Sequence, residues 1–297
     1  MNDILFTQAH ERLLSGKLLK RMVWAAAGSC ALGGLYGWRF GEHWLRVERR
    51  SMSLRGLASD FAGATIAHIS DLHCSPIVRD RYLHQCVDKI NSLGVDFVAI
   101  TGDFITGKRR HARQIAGILR GLKPAIATVA CLGNHDYGIY HPRGIGGKSG
   151  LAEYLVDELT RADIFVIMNE TRTFRRGGGE IQFVGVEDYW SSRYNPYLAF
   201  DSARAHLPMI GLVHNPDAAM QVAYCGAQWV LAGHTHGSRK SHLVNNVIIP
   251  SSNTQFVGGQ YALGGNRWLY VNRGLGYARR VNLNSRPEIT LFTLQAA

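Results

Sequence analysis

Five short polar motifs, each placed directly after an apolar run, constrain this chain more than any other feature. Asp71-Leu72-His73 follows ATIAHIS, Gly102-Asp103 follows VDFVAIT, and Gly133-Asn134-His135-Asp136 follows IATVACL. His214 follows MIGLV, and Gly233-His234-Thr235-His236-Gly237 follows QWVLA. Runs of this length and composition predict strands. In an open α/β sheet, ligands bind outside the carboxyl ends of the strands, so five such ends can converge on one site. The residues delivered there are Asp, His and Asn without Cys, a nitrogen and oxygen mixture that suits a hydrolytic divalent metal such as Mn, Fe, Zn, Co or Mg. Each motif alone has an ordinary structural use. D-x-H can be a turn with an N-cap Asp, Gly-Asp and Gly-Asn are common turn pairs, and a lone His can be a hydrogen-bonded rim residue. Their conjunction in one order, always at a strand end, points to a metal site.

The rest of the chain supplies the frame. Further strand-like runs lie at 164–169, 181–187, 247–250, 268–272 and 288–294. Helical spacing appears at 79–92, where Tyr82, Leu83, Cys86, Val87 and Ile90 form one stripe, and again at 149–161 and 216–224. Alternation of strand and helix predicts an α/β fold, and the strand-rich later part predicts a second sheet packed on the first. With 297 residues, 46% of them hydrophobic, the chain can bury a real core. Residues 61–297 are expected to form one catalytic domain, and residues 1–60 an anchor and basic linker. The stretch 138–150 is too rich in glycine for regular structure, and 175–179 (RRGGG) is expected to turn between two strands.

Taken together, the motifs resemble the signature of the calcineurin-like metallophosphoesterase superfamily: D-x-H, G-D, G-N-H-D/E, a single H and G-H-x-H, in that order, over about residues 64–294. The resemblance implies a four-layer α/β/β/α sandwich and a centre of two divalent ions, Mn²⁺ first, with Fe, Zn, Co or Mg as alternatives. It implies that Asp71, His73 and His236 hold one ion, that Asn134, His214 and His234 hold the other, and that Asp103 bridges them. A shared carboxylate holds two ions roughly 3.5–4 Å apart; such a pair acidifies water and screens phosphate charge. His135 is not a ligand in the family pattern and is free to donate a proton to the leaving oxygen, with Asp136 expected to orient and charge its imidazole.

Charge and hydropathy bear on where such an enzyme works. The formal charge is +11, which favours a polyanionic partner: nucleic acid, an anionic membrane surface or a phosphorylated substrate. Residues 22–38 (MVWAAAGSCALGGLYGW) carry no charge, a length at the short limit for a membrane span, with Trp24, Tyr36 and Trp38 placed as interfacial anchors. A single N-terminal membrane helix is therefore expected. A cleaved signal peptide fits less well, because 21 residues precede the run. Basic residues flank both ends, so orientation is open, with the cytoplasmic face preferred. Five cysteines, an odd number without a C-x-x-C pair, indicate neither a disulfide framework nor a zinc ribbon.

Within the superfamily, this apolar run, Asn272-Arg273-Gly274-Leu275-Gly276 and His214-Asn215-Pro216-Asp217 look like the membrane-anchored bacterial phosphodiesterase branch. That branch includes the UDP-2,3-diacylglucosamine pyrophosphate hydrolases of lipid A synthesis. Two departures stand out: soluble lipid A hydrolases usually carry Arg where His135 stands, and Ser238-Arg239-Lys240 follows Gly237 where the branch more often has Gly and Gln. A lipid-linked nucleotide would draw cations from Arg143, Lys148, Arg239 or Lys240. It would also need an apolar groove, for which Tyr189, Trp190, Tyr194, Tyr197 and Phe200 are candidates unless they are simply core. Two other classes stay open: a broad-specificity or nuclease-like phosphoesterase, lacking any recognisable nucleic-acid module, and a non-catalytic metal-binding scaffold. No protein partner is implied.

Overall fold

The computed structural model describes residues 20–29, 45–142, 144, 146–237, 255–276 and 286–297. It falls into two units, residues 1–44 and 45–297. In the first, residues 20–29 form an exposed helix, α1. No helix among the described residues is long and apolar enough to cross a membrane. Most of the expected span at 22–38 lies outside the described residues, as do Arg143, Arg239, Lys240 and the strand expected at 247–250.

The second unit contains twelve strands among its described residues. They are β1 (Arg46–Leu54), β2 (Thr65–Ile69), β3 (Phe97–Thr101), β4 (Ala127–Cys131), β5 (Ile164–Val166) and β6 (Glu170–Arg176), followed by β7 (Gly179–Gly185), β8 (Met209–Leu212), β9 (Trp229–Ala232), β10 (Gly259–Gly264), β11 (Arg267–Val271) and β12 (Glu288–Ala296). Five helices accompany them: α2 (Asp80–Asn91), α3 (Arg109–Leu119), α4 (Leu151–Thr160), α5 (Pro196–Ala199) and α6 (Ala219–Tyr224). The strands form two six-stranded mixed sheets, ordered β1-β12-β2-β3-β4-β5 and β10-β11-β9-β8-β7-β6. In the first, β2 through β5 run parallel; in the second, β11, β9, β8 and β7 do.

Side chains alternate across each strand, and that period of two builds the layers. Ile66, Phe97, Ala99 and Val129 of the first sheet meet Phe183, Ile210, Leu212, Trp229 and Tyr270 of the second in a cluster between the sheets. Their neighbours Ala67, Ile69, Val98 and Ile100 face outward against α2, α3 and α4. On the far side, Val184, Val230 and Leu269 pack against Val222 and Ala223 of α6. The result is the expected α/β/β/α sandwich. Each large core side chain removed from water contributes roughly 1.5–3 kcal/mol.

Several elements differ from expectation. The stretch 46–54, read as basic linker, is an edge strand pairing in parallel with β12, with Met52 and Leu54 fully buried between the sheets. Its arginines hide the apolar alternation, and charge on an edge strand discourages pairing with other chains. The chain from 216 to 224 opens with a 3-10 turn (Pro216–Ala218) before α6 begins. Strands β6 and β10 and helix α3 carry no strong sequence signal. The helix α3 opens on Lys108, Arg109 and Arg110, where an acidic first turn would announce it.

Candidate metal centre

The carboxyl ends of β2, β3, β4, β8 and β9 bring all five motifs together. The loops leaving β2 and β3 are laced to each other, with Asp71 N–H donating to Gly102 O (3.0 Å), His73 N–H to Asp103 O (2.9 Å) and Cys74 N–H to Phe104 O (2.8 Å). The ends of β3 and β4 approach so closely that side chains are excluded. A Cβ on Gly102, whose φ is +75°, would lie 2.6 Å from Gly133 N, and one on Gly133 would lie 2.4 Å from Asp103 Oδ1. Asp71, His73, Asp103, His234 and His236 all have positive φ, a conformation that costs a side-chain-bearing residue of order 1–3 kcal/mol and collects at functional sites.

Two donor groups share one carboxylate. In the first, His73 Nε2 lies 3.1 Å from His236 Nε2, and His236 Nε2 lies 3.4 Å from Asp71 Oδ1. In the second, His234 Nδ1 lies 3.2 Å from His214 Nε2 and 3.1 Å from Asn134 Oδ1. Asn134 is turned that way because its amide nitrogen donates to Ile139 O (2.7 Å). Asp103 Oδ2 stands between the groups, 3.5 Å from His73 Nε2 and 3.2 Å from His214 Nε2. Every one of these residues is buried.

The ring nitrogen His214 Nδ1 donates to Thr101 O (2.8 Å), leaving Nε2 directed at Asp103. The Asp71 carboxylate accepts from His234 N–H (3.0 Å) and from Ser70 Oγ (2.6 Å). Burial alone would raise the Asp103 carboxyl, but the charges of His214, His135 and His73 hold it well below the usual range. Burial likewise opposes a charge on His214, and Asp103 overrides it, raising that imidazole well above its ordinary value.

Among the described residues, the ion pairs of Asp71 and Asp103 are all with histidines. Two buried carboxylates among convergent imidazole nitrogens, with no Lys or Arg paired to them among the described residues, suit a cation, and oxygen and nitrogen donors within 4.8 Å of one another suit a divalent one.

His135 lies beside this cluster. Its backbone N–H donates to Asp103 Oδ1 (2.9 Å), and its ring meets Tyr140 edge-on at 4.8 Å and His73 at 5.0 Å. Asp136 does not do what was expected of it. Its carboxylate accepts from Gly133 N–H (2.9 Å) and Ile105 N–H (3.1 Å), locking the β3 and β4 turns together rather than orienting His135.

The sequence reading missed three contributors. At the end of β7, Glu187 accepts from the buried Tyr137 hydroxyl, and Asp188 is buried near the cluster with its carboxyl pushed up to about 7 by burial. At the end of β11, Asn272 Oδ1 lies 3.3 Å from Ser70 Oγ, which in turn holds Asp71. All three sit where a strand ends, the signal that located the five motifs. The aromatic run divides. Trp190 is buried edge-on against His234 (4.9 Å), whereas Tyr189 and Tyr197 are exposed and Phe200 packs on the outer cluster. A cleft of about 610 Å³ opens beside Trp190, with Tyr137, Ile139, Lys148 and Arg193 in its walls.

With this geometry in view, the family description Calcineurin-like phosphoesterase matches residues 64–238. The chain belongs to that family. This calcineurin-like phosphoesterase is 28% identical over 293 residues to the UDP-2,3-diacylglucosamine pyrophosphatase LpxG of Chlamydia trachomatis, which covers 83% of this chain and 88% of that one. It is 29% identical over 288 residues to the uncharacterized metallophosphoesterase YkuE of Bacillus subtilis, covering 94% and 97%. It is 27% identical over 284 residues to the phosphodiesterase YaeI of Escherichia coli, covering 93% and 98%. The protein is a hydrolase of phosphoester bonds, and its family fold implies a dinuclear divalent metal site.

Proposed function

We propose that this phosphoesterase hydrolyses a phosphodiester or diphosphate bond in a lipid-linked nucleotide of the UDP-2,3-diacylglucosamine class, at a membrane surface, using two divalent ions with Mn²⁺ foremost. The observation that carries the binuclear reading is the single oxygen Asp103 Oδ2, within 3.5 Å of both His73 and His214. Asp71, His73 and His236 would hold one ion, Asn134, His214 and His234 the other, with Asp103 placed to serve both. When bound, the pair supplies Lewis acidity toward the phosphoryl oxygens and an acidified water for attack at phosphorus.

The chain's own residues supply the rest. His135, tethered through its N–H to Asp103 and braced by Tyr140, protonates the leaving oxygen. Asp136 keeps the turn that carries His135 in register with β3. Lys148, together with Arg143, Arg239 and Lys240, meets the negative charge of the diphosphate. The lipid-linked substrate is supported by the likeness to the chlamydial pyrophosphatase, and the membrane by the uncharged run at 22–38 and the basic surplus. In this reading the catalytic domain begins at Leu45, and a single anchor on the cytoplasmic face precedes it.

The test is to load the full chain with Mn²⁺ and offer it UDP-2,3-diacylglucosamine, bis(p-nitrophenyl) phosphate and single-stranded DNA. Release of UMP that disappears in Asp103→Asn supports the proposal. Hydrolysis of the simple diester without UMP rejects the lipid-linked substrate, nucleotide release from DNA favours a nuclease, and turnover of none of them rejects catalysis.

A further inference from the structure

A second cavity, of about 390 Å³, lies between the N-terminal ends of α3 and α4. Lys108, Arg109, Arg110 and Lys148 line it, together with Ser149 and Gly150. Among the described residues, none of these four cations forms an ion pair with a carboxylate, although arginines close by do: Arg113 and Arg161 reach Glu158, and Arg193 reaches Glu153. At α3 the arrangement is electrostatically adverse, whereas α4 carries Glu153 in its first turn. A helix N-terminus carries the positive end of the helix dipole and favours acidic residues, yet α3 has none in its first turn and opens on three cations. Neither helix is capped by a side chain, since its N-cap residue, Lys108 or Gly150, makes no such bond. The first residues of two helices and four cations that make no ion pair among the described residues thus line one space.

The walls of that space are fixed rather than loose. Lys148 Nζ donates to Gly107 O at 2.6 Å, joining the loop before α3 to the loop before α4. The Arg109 guanidinium lies 4.1 Å from the centre of the Tyr154 ring. Arg110 Nε bonds His111 Nε2 at 3.2 Å.

The cavity is joined to the metal centre by a short stretch of chain and by one side chain. Lys108 is five residues beyond Asp103, a span of at most ~18 Å even if fully extended. Tyr140 bridges the two places, with its ring against His135 and its hydroxyl donating to Thr106 O (3.3 Å). Gly107 leaves room for it, since a Cβ there would fall 1.9 Å from Tyr140 Oη.

We propose that this cavity is a second anion subsite that holds a phosphate-type group of the substrate, one not undergoing hydrolysis, while the scissile phosphorus sits at the metal centre. The subsite rests on the phosphoesterase reading and adds to it a substrate requirement: at least two phosphoryl groups, or one phosphoryl group and a second anion of similar geometry. A substrate with a single phosphodiester has nothing to place there.

The test compares the Mn²⁺-loaded full chain with Lys108→Glu/Arg110→Glu and the milder Lys108→Gln/Arg110→Gln on two soluble substrates, a nucleotide diphosphate sugar and bis(p-nitrophenyl) phosphate. The expected result is a KM for the diphosphate raised about tenfold or more by charge reversal and less by neutralisation, with KM for the simple diester moved less than twofold. Equal loss on both substrates, or no change on either, overturns the proposal. Binding of inorganic pyrophosphate, followed by calorimetry on the same proteins, separates the subsite from the enzyme reading. A protein that turns over nothing yet loses pyrophosphate binding on charge reversal keeps the subsite and rejects the enzyme. Vesicles of phosphatidylglycerol against phosphatidylcholine distinguish a lipid headgroup as the anion. Loss of vesicle binding with an unchanged diphosphate KM overturns the assignment to substrate.

Discussion

Single residues carry the strain and the charge on which this site is built. Five candidate ligands hold a left-handed backbone, and Gly102 and Gly133 admit the close approach that lets Asp103 face both donor groups. His135 faces the cluster from outside it, so its loss is predicted to depend on the leaving group. In His135→Ala, kcat for an alkyl or nucleotide leaving group should fall by about 10²–10⁴, the usual share of general acid catalysis. For p-nitrophenolate, which departs without a proton, the fall should be far smaller. Steady-state rates on the two substrate types check this, and equal losses would deny His135 the role of proton donor.

His68, buried beside Tyr270 and Phe292 and 2.9 Å from Thr101 Oγ1, yields a second prediction. Burial lowers its pKa from 6.5 to about 3, so between those values the unfolded chain takes a proton that the folded chain refuses. Its contribution to stability is intact above pH 6.5 and drains away as pH falls toward 3. In His68→Gln, the slope of unfolding free energy against pH between 6 and 4 should be shallower by ~1.4 kcal/mol per pH unit. Urea melts across that range measure it, and identical slopes would contradict the buried neutral imidazole.

Elements, rather than residues, decide what reaches the site. Strand ends deliver every motif, and two further ends deliver Asp188 and Asn272, neither of which belongs to the five metal motifs. Strand β1 shows the opposite case, an element whose charge conceals its structural part. Met52 and Leu54 are fully buried between the sheets, while most of the strand's other side chains are partly or fully exposed. Leu54→Ala is therefore predicted to cost about 2–5 kcal/mol, and Arg49→Ala, on the exposed face, less than ~0.5 kcal/mol. Equilibrium unfolding compares them, and equal effects would return 46–54 to the linker.

At the scale of the whole molecule, the two sheets must stay in contact for the donor groups to exist, because Asp71, His73, Asp103 and Asn134 come from the first sheet and His214, His234 and His236 from the second. Metal at the centre and stability of the sandwich are thereby linked. At a free metal concentration of about 1,000 times Kd, a bound ion adds ~4 kcal/mol, which for a domain of this size is about 10 °C in Tm. Removing metal with a chelator should lower the thermal midpoint by that order, and Mn²⁺ should restore it. A midpoint indifferent to both treatments would mean that the ions do not bridge the sheets.

By itself, the sequence determined the family, the α/β class and the identity of the residues that gather at the centre. Those rest on local signals, apolar alternation and polar residues at strand ends, which survive in one dimension. Only the tertiary structure decided which atoms of those residues face one another. It gave the Asp136 carboxylate to two backbone N–H groups instead of His135, and it folded the charged stretch 46–54 into a sheet. It also set Lys108, Arg109 and Arg110 across from Lys148, some forty residues away in the chain. Hydrogen-bond partners and electrostatic fields depend on distances between segments remote in sequence, and no spacing along the chain encodes them.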